Sequence, residues 1–225
     1  MDILRRTSTR CVLLFARTAA QEARAKNLSR ARGLFALARR RVTAAARSLP
    51  GIDLLVAGPG GALPQRGRCF AERLANAFAD ARALGYEEIV AVPTDVPRLG
   101  RRQLAAAFRR LATASVVLGP SPDGGAYLIG CRSDPSELFT GVHWQTSRTF
   151  ADLAANAPSL AVLDPLEDVD RWADVAALAA GPDREVAALL RDPGFVEDFR
   201  RPTALLLSHP LFNRPPPPAL PFAAS

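Results

Sequence analysis

Ile89-Val90-Ala91-Val92 runs without a polar break into Pro93-Thr94-Asp95-Val96-Pro97, and this stretch constrains the fold more than any other. A continuous apolar run rich in β-branched residues suits a strand buried on both faces, as in a parallel sheet packed between helices. Ligands of open α/β sheets sit just beyond the carboxyl ends of the strands, which is where Asp95 falls. Val96 precedes a proline and is biased to extended backbone, so the turn carrying Asp95 is not wound into the next helix. The alternative, less favoured, is that Asp95 merely terminates the strand or caps a turn.

Further runs repeat the pattern. Cys11–Phe15, Asp53–Ala57, Ser115–Gly119, Ala126–Cys131 and Leu160–Leu163 read as strands. Helical spacing occupies 29–48 with Ser29 as N-cap, 69–84 closed by Gly85, 101–112, 149–156, 171–180 and 183–191. This rhythm predicts a three-layer αβα fold with a mostly parallel sheet. Residues 1–195 are expected to form one domain. The segment 196–225 ends in Pro215-Pro216-Pro217-Pro218 and reads as an unstructured proline-rich tail.

The net charge of +7 comes from 28 Arg and one Lys against 22 acidic residues. Aromatics make up 7% and show no basic–aromatic stacking pattern, which favours an arginine-rich background over nucleic-acid binding. Lys26 is informative in such a chain, because a lone Lys fits a position that needs a compact point charge, as at a phosphate, and chance survival of one lysine codon accounts for it nearly as readily. Cys11, Cys69 and Cys131 form no CxxC pair and read as reduced, mostly buried thiols of a cytoplasmic protein. Two histidines exclude a His-rich metal site, and no apolar stretch reaches membrane-spanning length.

Three acidic turns are expected to converge at the carboxyl ends of the strands: Asp95, Asp123-Gly124-Gly125 and Asp168-Val169-Asp170. Mg²⁺ or Mn²⁺ on a diphosphate needs only one or two protein carboxylates, which Asp95 and Asp170 could supply. The glycines after Asp123 permit close backbone approach to a ligand, and a plain β-turn explains them equally well. There is no Walker lysine loop, no nucleophile elbow and no dinucleotide fingerprint.

Phe15-Ala16-Arg17, Glu72–Phe78, Thr94–Leu99, Leu118–Gly130, His143-Trp144-Gln145-Thr146 and Asp168-Val169-Asp170 occur in that order. Together they resemble a bacterial family of glycosyltransferase-A-like proteins, the domain of unknown function 2064. It is also known as a radical-SAM/selenodomain-associated transferase, with one branch named for arsenosugar biosynthesis. The resemblance spans about residues 10–180 and is most specific over 118–130. It implies a nucleotide-diphospho-sugar transferase fold whose divalent metal grips the phosphates of a nucleotide. Asp95 falls on the family's Thr-Asp-x-Pro metal position, and Asp170 on the second Asp of its late turn. Lys26 falls near the lysine of a basic first loop, which with Arg17 and Thr94 is expected to contact the nucleotide. Asp123 is expected at the reacting centre, with Gly124, Gly125, His143 and Trp144 around sugar and acceptor. The chain departs from the family where Ala23-Arg24-Ala25-Lys26-Asn27 replaces a Pro-Gly and Lys-Thr-Arg loop, at Pro93, and at Ala126.

The leading expectation is a metal-dependent glycosyltransferase that takes its sugar from a nucleotide diphosphate and passes it to a small-molecule acceptor. A nucleotidyltransferase that releases pyrophosphate is the second reading. An inactive binding protein on the same fold is the third.

Overall fold

A computed structural model describes residues 8–191. The boundary expected near residue 195 and the proline-rich tail lie outside the described residues. Short apolar runs form the strands, and stretches of helical period join them. The order is β1 (Arg10–Phe15), α1 (Ala19–Ala25), α2 (Arg32–Arg47), β2 (Asp53–Ala57), α3 (Phe70–Ala83), β3 (Glu88–Val92), α4 (Arg101–Leu111), β4 (Val116–Pro120) and β5 (Ala126–Cys131). Then follow α5 (Ser136–Phe139), α6 (Thr149–Asn156), β6 (Leu160–Val162), α7 (Trp172–Ala180) and α8 (Arg184–Arg191).

The six strands form one sheet in the order β2-β1-β3-β5-β4-β6. β5 runs antiparallel to both neighbours, and the remaining pairings are parallel. All strands but β5 therefore point their carboxyl ends to one edge. Alternate side chains serve two cores. Val12, Leu14, Val90, Val92 and Val117 pack with α2 and α4 on one face, while Cys11, Leu13, Ile89, Ala91 and Leu118 pack with α3 and α6 on the other. This is the three-layer αβα fold with a mostly parallel sheet. A third cluster joins α1 and the start of α2 to α7 and α8 through Leu34, Phe35, Val175 and Val186.

Two local readings need correction. Residues 19–25 are helical, because Thr18 and Gln21 close a capping box that satisfies the first free N–H groups. Ser29 does not cap α2. It opens a single 3₁₀ turn, Ser29–Ala31, and α2 begins without a side-chain cap. Cys69 is exposed at the head of α3, whereas Cys11 and Cys131 are buried.

The third cluster is held by ions as well as by apolar contact. Arg41 on α2 donates two hydrogen bonds to Asp183, at 2.5 and 2.9 Å, and reaches Glu185 at 2.6 Å. Those bonds, against the opposing effect of burial, pull the Asp183 carboxyl down to about 2. Because the folded value lies below the unfolded one, the contribution is complete above about pH 4 and is lost as pH falls towards 2. Asp183→Asn is expected to cost about 1 kcal/mol, with the difference from wild type shrinking at low pH. Urea denaturation at pH 7 and pH 3 measures both.

Candidate active site

Thr94 is buried directly after β3, and Asp95 follows in a turn kept extended by Val96-Pro97, well short of α4 at Arg101. The Asp95 carbonyl accepts a hydrogen bond from the Val169 N–H at 3.0 Å. That bond docks the 168–170 turn against the end of β3 and brings together carboxylates 75 residues apart. Lys26, at the C-terminal end of α1, joins them. Its Nζ donates to Asp95 Oδ2 and Asp170 Oδ1, both at 2.5 Å, and stands 3.8 Å from Glu22 Oε1. Burial works against the Lys26 ammonium, yet the facing Asp95 and Asp170 carboxylates outweigh it and raise its pKa. Asp95 Oδ1 is buried and makes no hydrogen bond.

The β4–β5 connection adds a third carboxylate. Asp123 Oδ1 accepts from the Gly125 N–H at 2.9 Å, which turns the carboxylate towards the sheet edge. Asp123, Asp168 and Asp170 each present an oxygen within 4.8 Å of the others. Burial, followed by repulsion from Asp170, Asp95 and Asp123, pushes the Asp168 carboxyl up to about 7. Burial and the Asp95 charge raise Glu22 as well. One ammonium thus faces a surplus of hard oxygen donors. A divalent cation matches this donor set, and Asp95 Oδ1 offers it an oxygen that needs a partner.

The carboxylates floor a cleft of about 420 Å³. Arg17, Lys26 and Thr94 line it, with Asp95, Asp123, Gly125, Trp144 and Asp170. Its apolar wall is Phe15, Phe70 and Trp144, where Phe70 stands edge-on to Phe15 at 5.7 Å and tilted against Trp144 at 5.5 Å. Arg73 joins Arg17 at a basic end of the cleft, beside Gln65, which is fixed by donating to the Ala16 and Ala57 carbonyls at 3.0 Å each. Gln145 lines the rim with φ at 59°, a strained conformation for a residue with a side chain.

Two expected residues do not face the cleft. His143 is exposed, and its Nδ1 pairs with Asp152 at 2.8 Å while its carbonyl accepts from Thr146 and Thr149. It therefore organises the turn that presents Trp144. Gly124 packs backbone to backbone on the same turn, with the Phe150 N–H donating to its carbonyl at 2.9 Å. In turn, Phe70, Arg73 and Glu22 line the site without having been singled out, and Asp168 lines it without having been given a role. Asp168 was legible as the other acid of its Asp-Val-Asp turn. The others sit on helices whose facing only the packing decides.

The family model described as "Uncharacterized protein conserved in bacteria (DUF2064)" matches residues 23–146, more than half of the chain. The chain belongs to this family. No curated protein sequence matches it significantly. Among solved structures, a candidate nucleotide-diphospho-sugar transferase from Desulfovibrio desulfuricans G20 is similar at 21% identity and a TM-score of 0.65, over 84% of this chain and 93% of that one. The 4-diphosphocytidyl-2C-methyl-D-erythritol synthase from Anaerococcus prevotii DSM 20548 is similar at 6% identity and a TM-score of 0.51, over 81% and 96%. At such identities the likeness shows a shared fold, that of nucleotide-diphospho-sugar transferases and cytidylyltransferases. No helix among the described residues is long and apolar enough to cross a membrane.

Proposed function

We propose that this family member is a metal-dependent glycosyltransferase that takes a nucleotide-diphosphate sugar as donor and a small molecule as acceptor. The observation that carries the reading is the convergence of Asp95, Asp123, Asp168 and Asp170 at the carboxyl edge of the sheet, in a cleft with Arg17 and Arg73 at its basic end. Asp95 and Asp170 would hold Mg²⁺ or Mn²⁺, which when bound offsets the charge gathering on the leaving diphosphate. Arg17 and Arg73 face the same space and suit the phosphates. The Trp144 and Phe70 faces give a sugar ring an apolar surface. Asp123, at the exposed rim, is placed to accept hydrogen bonds from hydroxyl groups of sugar or acceptor.

A nucleotidyltransferase is the second reading, since the fold is shared with a cytidylyltransferase. The first loop favours the sugar-transfer reading. Only Ala16-Arg17-Thr18 separates β1 from α1, and no glycine lies there to let backbone N–H groups wrap a triphosphate. The products decide between them. Incubation with Mn²⁺, a panel of nucleotide sugars and candidate acceptors is expected to release nucleoside diphosphate. Release of pyrophosphate from a nucleoside triphosphate would establish the second reading instead.

A further inference from the structure

The only lysine of the chain stands between the two carboxylates that the proposed function assigns to a metal. Asp95 Oδ2 and Asp170 Oδ1 both lie 2.5 Å from Lys26 Nζ. A Mg²⁺ ion reaching the same oxygens at about 2.1 Å would come within about 4 Å of Nζ, a like-charge contact. The Lys26 side chain is only 13% exposed, so water screens that contact poorly. Ammonium and metal ion are therefore alternatives at this position. The remaining carboxylate in contact with Nζ is Glu22, at 3.8 Å, and Arg17 competes for it at 3.7 Å. Among the described residues a displaced Lys26 ammonium is thus left with Glu22, shared with Arg17, and with the Asp123 and Asp168 carboxylates that the metal would itself attract, and a diphosphate in the cleft would supply a further anion.

We propose that Lys26 is an internal counter-ion that occupies the cation position of the ligand-free protein and yields it to a divalent metal as diphosphate enters. This rests on the metal-dependent reading above. Metal alone must strip Lys26 from two carboxylates, whereas metal arriving with a diphosphate gives the ammonium new oxygen partners. Each ligand then strengthens binding of the other by the same factor. The device keeps five acidic side chains compatible with a folded, ligand-free cleft, and it disfavours capture of metal without donor.

Calorimetric titration of Mn²⁺ alone, with no nucleotide, into wild type, Lys26→Met and Asp95→Asn tests this. Lys26→Met keeps the chain length and removes the charge, and it is expected to bind Mn²⁺ at least tenfold more tightly than wild type. Asp95→Asn is expected to lose Mn²⁺ binding. Equal or weaker affinity in Lys26→Met, with Asp95-dependent binding intact in wild type, overturns the counter-ion and leaves the metal reading standing. Failure of all three proteins to bind Mn²⁺ overturns both. A measurement on wild type alone covers a variant that does not fold. Labelling of Lys26 by an amine-specific reagent, followed by mass spectrometry, is expected to rise several-fold at saturating Mn²⁺ without diphosphate, where the displaced ammonium has lost both carboxylates, and to fall again when pyrophosphate is added. Unchanged labelling at saturating Mn²⁺ overturns the displacement.

Discussion

Asp95→Asn is expected to fold with an unchanged or slightly higher melting temperature and to lose most of the Mn²⁺-dependent affinity for a nucleoside diphosphate. The two effects separate because Asp95 sits among Glu22, Asp123, Asp168 and Asp170. Removing one negative charge there relieves repulsion, while Lys26 keeps Asp170 as a partner. The amide is isosteric, so the turn and its bond from Val169 survive. The metal bridge to a diphosphate does not, and its loss is expected to cost about 3 kcal/mol, roughly a hundredfold in affinity. Asp170→Asn should show a milder loss, because its side chain is 48% exposed against 16% for Asp95 and water can take its place. Calorimetry with a panel of nucleoside diphosphates in the presence and absence of Mn²⁺ measures both variants. Affinities equal to wild type with Mn²⁺ present would remove Asp95 from the site.

Gly124→Ala is expected to be the more damaging change to the fold, lowering stability by about 3 kcal/mol. Gly124 has φ at 89°, in the left-handed region, and a Cβ there would come 2.1 Å from the Ser147 carbonyl oxygen. Either the β4–β5 turn or the turn around His143 must move, and the Phe150 bond to the Gly124 carbonyl goes with it. Trp144 lies on that second turn, so ligand binding should fall together with stability. Gly125→Ala supplies the contrast. Its Cβ would approach only the Asp123 carboxylate, at 3.0 Å, so stability should change by less than about 0.5 kcal/mol while the cleft is altered. Thermal unfolding of the two variants side by side measures this. A Gly124→Ala protein that melts like wild type would show that the two turns are not interlocked as described.

Much of the architecture was legible because burial on both faces leaves a plain signature. Ile89–Val92 and Cys11–Phe15 carry no polar residue to mark a solvated face, and such runs fit the middle of a parallel sheet. The Asp95 turn was legible for the same reason, since a carboxylate ending a buried strand falls on the ligand edge. The helix Ala19–Ala25 was announced by Thr18 and Gln21, but seven residues are too few to show a period. Ser29 illustrates the opposite failure. Its side chain suits a cap, yet the α1–α2 contacts that bury Ala31 and Leu34 place the helix start three residues later.

The sequence by itself determined the strands, the sheet edge at which ligands gather and the acidic character of the turns there. These follow from local hydrophobic pattern and from the residue types at strand ends, both of which act over a few neighbouring positions. Only the tertiary structure decided that β5 enters between β3 and β4, that the 168–170 turn docks on Asp95, and that Lys26 meets two carboxylates 69 and 144 residues away. Contacts of that range depend on how the layers pack around the sheet. The same packing turned His143 and Gly124 from expected ligand contacts into supports of the turn that carries Trp144.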